Sequence, residues 1–179
     1  MDIDLATVSE SQEGSQLRRD LSARDVIMIK ESRVVEKVGM HGADLEIAGL
    51  SLVTIRKSER KAMFGVKFEQ AATSLAIAGS AFVDFDEIDN FDAGLAYVAK
   101  ALEQMANSKR DYTEVTYTTR DGLIIGFYQD GMKQQPFMRF NVVSRAIHFS
   151  SPKAITVVQD AVGRSKSYAA ERRAAWGFA

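Results

Sequence analysis

The chain has 179 residues, no cysteine, 23 Lys/Arg against 24 Asp/Glu and a formal net charge of −1. That length can bury a substantial core without covalent staples, and the missing cysteine rules out disulfides, thiolate metal sites and a cysteine nucleophile. The near-neutral total gives no global case for nucleic acid or an anionic membrane, but the charge is uneven: residues 1–108 hold 12 Lys/Arg against 18 Asp/Glu, a net of −6, and residues 109–179 hold 11 against 6, a net of +5. Such halves attract, either docking on each other or bringing copies together head to tail.

Residues 1–20 lack apolar periodicity and are rich in Ser, Gln, Glu and Asp, so they read as a mobile N-terminal arm ahead of a single compact domain over 21–179. The first residues are polar and mixed in charge, and no apolar run approaches the about 20 residues that a bilayer span requires. The expectation is a soluble, cytoplasmic chain without a transmembrane segment, with room left for a targeting peptide removed earlier. From Val26, VIMIKESRVVEKV mixes β-branched residues with charges in near alternation and reads as one bent strand or a short hairpin around Glu31 and Ser32. GMHG at 39–42 is a turn. Residues 45–56 continue as a long strand in which Gly49 marks a bulge or a close approach. KSERK at 57–61 turns the chain back into a strand over 62–69.

Ile88, Phe91, Leu95, Val98, Leu102 and Met105 recur at spacings of three and four, which places them on one stripe of a helix. Asp86 suits its N-cap, and Glu87, Asp89 and Asp92 put negative charge near the positive end of the dipole. Residues 82–85 before it read as a short strand in which Asp84 points away from Val83 and Phe85. An oxygen-rich cluster of this kind could hold calcium or magnesium. The EF-hand spacing is absent, however, and a capped, solvated helix start accounts for the acids. No metal or cofactor is expected.

In the second half, strands are expected over 112–119, 123–129, 136–141 and 146–149, the first three separated by turns containing Asp121-Gly122 and Asp130-Gly131. Ser151 can cap a second helix with Pro152 at its first position, and Ile155, Val158 and Val162 supply its apolar stripe. Beyond Gly163 that stripe weakens.

The two halves look alike. Val83-Asp84-Phe85-Asp86 matches Ile147-His148-Phe149-Ser150 at an offset of 64, and Phe91 and Val98 match Ile155 and Val162 at the same offset. The fold class is therefore α+β, mainly antiparallel β-sheet of about eight strands, in two pseudo-repeated four-strand-plus-helix units over about 25–108 and 109–179. In topology this resembles the Whirly-like proteins that bind single-stranded DNA, and Lys61-Ala62-Met63-Phe64 is similar to part of their Lys-Gly-Lys-Ala-Ala-Leu signature. The likeness is one of fold, and no site residue is carried over from it.

For chemistry, His41 and His148 have no metal-ligand spacing, and His148 beside Ser150 and Ser151 lacks an oxyanion loop or nucleophile elbow. No P-loop or dinucleotide fingerprint is present. The expectation is a protein without catalytic residues: a binding or interaction module, self-associating or engaging a protein partner. A second reading is a single-stranded nucleic-acid binder. Phe127, Tyr128, Lys133, Phe137, Arg139 and Phe140 interleave aromatics with charge on the basic half, and of these Tyr128, Lys133, Phe137 and Arg139 are the candidate contacts. Arg172, Arg173 and Trp176, with Lys166 nearby, are candidates for a partner-binding helix end.

Overall fold

A computed structural model of the protein describes residues 14–178. Alternating apolar residues produce two four-stranded antiparallel sheets. The first runs in the order β1 (Ile27–Val38), β2 (Leu45–Arg56), β3 (Glu59–Gln70), β4 (Gly79–Asp84), and the second β5 (Arg110–Thr118), β6 (Ile124–Gly131), β7 (Lys133–Arg139), β8 (Ile147–His148). Helix α2 (Ile88–Met105) follows the first sheet and α3 (Ala154–Ala175) the second. This is the α+β arrangement of two similar units that the sequence indicates. Equivalent residues of the two strand-to-helix joints do equivalent work: Phe91, Val98, Ile155 and Val162 are all buried.

The helices cross over. The stripe of α2 packs on β5 and β6 of the second sheet, while α3 lies across β1, β2 and β3 of the first. Each unit therefore supplies the cover for the other, and Ile47, Phe68, Phe91, Phe127, Met138 and Val158 belong to one continuous apolar core. An apolar inner face accepts any helix of suitable shape, so sequence pattern alone does not say which helix covers which sheet. Gly49 is a close-approach point: a Cβ there would lie 2.4 Å from Cδ1 of Tyr168, so the glycine lets α3 sit down on β2. That contact also explains why α3 continues past Gly163, for Ser165, Tyr168 and Ala169 are buried where no regular stripe is legible.

Of the two readings of 27–38, the structure has the single strand, with a register shift between Val34 and Glu36, and not the hairpin at Glu31. Other local expectations are corrected. Asp86 does not cap α2, because a 3-10 turn, Phe85–Glu87, intervenes and Asp86 pairs with Arg120 at 2.6 Å. Ser151 accepts from Lys153 N at 3.2 Å, one turn ahead of the start of α3. The two Asp-Gly turns do use positive φ, +86° at Gly122 and +62° at Gly131.

Residues 1–13, most of the expected arm, lie outside the described residues. Its last part is structured: Gln16–Leu21 forms a short helix, α1, on the outer face of the first sheet. Leu17 is fully buried against Leu50, Leu52 and Phe82. It seats over Gly65, where a Cβ would come within 2.6 Å of its Cδ1 and 2.2 Å of Val83 O. Two buried carboxylates hold the start of α1. Asp84 accepts from Gln16 N at 2.7 Å and Leu17 N at 3.0 Å, and Asp121 from Ser15 N, Phe82 N and the Arg18 guanidinium.

Candidate nucleic-acid interface

Both long helices occupy the inner side of the sheets and α1 covers only the first sheet, so among the described residues no helix lies on the outer face of the second sheet. Strand alternation decides what that face displays. Register pairs Val115 with Phe127 and Phe127 with Pro136, placing these toward the core; Glu114, Tyr128 and Gln135 fall on the opposite face, as do Gly126, Phe137 and His148 one pair away.

Aromatic rings converge there. Tyr112, on β5, is 62% exposed and stacks on Tyr128 with centroids 5.8 Å apart and planes inclined by 24°. Tyr128 meets His148 edge-on at 5.8 Å, and His148 meets His41, in the β1–β2 turn, edge-on at 6.0 Å. Beneath them lies Phe137, 6.1 Å from Tyr128 and only 1% exposed. The turn is held to β8 by His41 N donating to His148 O at 2.9 Å and Ser150 N to Gly39 O at 3.0 Å, so the ring track continues beyond the sheet edge.

The charges on this face are available to a ligand. Arg139 lies over Phe137 at 5.3 Å, and its Nε is buried without an acceptor. Among the described residues no carboxylate pairs with Lys133, Arg139 or Arg145, although Glu114 and Asp130 share the surface. Partial burial, with His41 and Lys133 nearby, holds the His148 imidazole below its ordinary value, which favours the neutral ring at neutral pH. The Tyr112 phenol is pushed up because it donates to Glu114.

Of the four residues singled out in the sequence for nucleic acid, Tyr128 and Arg139 are half-buried and Lys133 is exposed on this face, whereas Phe137 is buried as the floor. Phe127 and Phe140 are core residues. Tyr112 and His148 are the members of this face that sequence reasoning passed over as contacts, and His41 lies beyond the sheet edge. The helix-end group is engaged within the chain: Arg172 Nε and Trp176 Nε1 both donate to Glu31 Oε2, at 2.8 and 3.3 Å, and Arg173 lies over Phe85 at 5.6 Å.

Two depressions flank these features. A cleft of about 1100 Å³ opens between the units, with Ser80, His41, His148 and Arg145 among its walls. A smaller hollow of about 490 Å³ holds Asp86, Glu87, Asn90, Tyr117 and Arg120. In it, burial pushes the Glu87 carboxyl up although Arg120 N donates to it at 2.7 Å. Among the described residues no group of three or more His, Asp or Glu comes together as metal ligands would, and no helix is long and apolar enough to cross a membrane. No family model, curated protein or solved structure gives a significant match to the chain.

Proposed function

We propose that this protein is a non-catalytic binding module whose ligand is single-stranded nucleic acid, taken on the open face of the second sheet. The observation that carries the reading is the stacked pair of exposed Tyr112 and half-buried Tyr128 on the outer face of the second sheet, which no helix among the described residues covers, beside Lys133 and Arg139, which no carboxylate among those residues pairs with. Bases of any sequence stack on such rings while Lys and Arg follow the phosphates, which suits a single strand and not a duplex whose bases are already stacked. The buried Phe137 adds rigidity below the platform and presents no stacking surface of its own.

A titration of a fluorescently labelled pyrimidine strand at two salt concentrations tests this. Saturable binding is expected, with Tyr128→Ala weakening it about tenfold, within the range of one lost base-stacking contact. If Lys133 and Arg139 each meet one phosphate of a strand confined to the sheet face, the logarithmic salt slope is about −1.4. Absence of saturable binding at low salt sinks the proposal.

A further inference from the structure

The rings of the open face do not stop at its edge. Tyr112, Tyr128, His148 and His41 succeed one another at 5.8, 5.8 and 6.0 Å, crossing the second sheet from β5 to β8 and reaching the β1–β2 turn. The last two rings are also walls of the cleft between the units. The platform and the cleft therefore share a border, and that border is aromatic.

The cleft has the features of a place for an unstacked base. Its far rim is formed by two loops that are built rather than loose. In the 141–146 loop, Asn141 Oδ1 accepts from Val143 N at 3.0 Å and from Ser144 N at 2.8 Å. In the 71–78 loop, Thr73 Oγ1 accepts from Leu75 N at 3.1 Å and Ala76 N at 3.0 Å and donates to Gly42 O at 3.1 Å. These loops hold out Leu75, Ile77 and Val143, exposed by 83%, 83% and 89%, the three most exposed large hydrophobic residues among those described, and all three line the cleft. Loops fixed by their own hydrogen bonds while displaying apolar side chains gain by covering a flat apolar surface. Arg145, on the 141–146 loop, also lines the cleft, exposed and without a carboxylate partner among the described residues. Apolar side chains for a base face, hydroxyls for a base edge and a cation for a phosphate are the groups that a nucleotide requires.

We infer that the bound strand leaves the Tyr112–Tyr128 platform past His148 and His41 and lodges its next nucleotide in the cleft between the two units. The base enters between the apolar tips of the 71–78 and 141–146 loops, and Arg145 meets its phosphate. This rests on the open face being a single-strand surface and adds a second subsite to it. A site at the boundary of both units reads strand length, because only a strand longer than the platform reaches it.

The test compares two labelled pyrimidine strands, of about four and about eight nucleotides, within the site sizes of single-strand binders. The wild-type protein and the variants Arg145→Ala, His41→Ala and Tyr128→Ala are titrated with each, with thermal melts confirming that all are folded. Arg145 and His41 are exposed loop residues, so their truncation spares the core. The expected result is that Arg145→Ala and His41→Ala each weaken the longer strand about tenfold and leave the shorter one unchanged, while Tyr128→Ala weakens both. If both cleft variants bind the longer strand as the wild type does while Tyr128→Ala still weakens it, the cleft lies off the path and the platform stands alone. If the wild type binds neither strand, the platform reading fails and the cleft subsite with it.

Discussion

Asp84 and Glu87 show how two carboxyl groups take different roles three positions apart. Asp84 leaves its strand on the outer face, as simple alternation from Val83 requires, and finds two backbone donors at the start of α1. Glu87 turns into the hollow beside Arg120, where desolvation outweighs its donors and raises its affinity for a proton. A carboxyl raised in the fold contributes stability that is present below its unfolded value and lost as pH rises through the folded one. Glu87→Gln should therefore be as stable as the wild type or more so at pH 7, with that advantage vanishing near pH 4. Chemical denaturation at the two pH values reads this, and a variant that is weaker at pH 7 and recovers nothing on acidification contradicts it. The acids of this segment were legible in the sequence as a cluster, but their separate partners were not. Those partners, α1 and Arg120, come from 60 to 70 residues before and about 30 after in the chain.

At the level of elements, the α2 stripe and the long strands were readable because one periodicity dominated each. The limits of reading are equally physical. α3 keeps its helix through Ser165 and Tyr168 by fitting Gly49, a tertiary contact that leaves no periodic trace. α1 is too short to be stable by propensity and exists because Leu17 is buried and Asp84 and Asp121 take its free N–H groups. Tyr112 was overlooked as a contact because β5 presents polar residues along most of its exposed side, so the face it shares with Tyr128 emerges only from the register. If α1 is held as described, Leu17→Ala costs about 2–5 kcal/mol, the range for a fully buried leucine. Hydrogen exchange should then quicken in α1 and the facing strands and stay unchanged in β5, β6 and β7. Unaltered exchange throughout would mean that α1 is not docked.

Across the whole molecule, the charge asymmetry of the chain serves first to join its halves. Arg120 pairs with Asp86, Arg164 with Glu36, Lys166 with Asp89 and Arg172 with Glu31, each a cation of the basic half on an acid of the other. Exposed pairs of this kind add little stability individually, but they determine which cations remain. Among the described residues, Lys133, Arg139 and Arg145 make no ion pair, as Lys109, Arg110 and Lys153 make none, and Lys133, Arg139 and Arg145 lie on or beside the outer sheet face that no described helix covers. The exchange of helices between units produces that face, since it draws both of them to the interior and leaves α1 to cover only one of the two outer surfaces.

The most direct measurement is an amide and tyrosine-ring NMR titration of the protein with a short pyrimidine single strand. The account predicts that shifts gather on β5, β6, β7 and β8, with the rings of Tyr112 and Tyr128 moved by stacking and the β1–β3 face beneath α1 quiet. Shifts centred on α3 or on the first sheet, or no shifts at all, would contradict it.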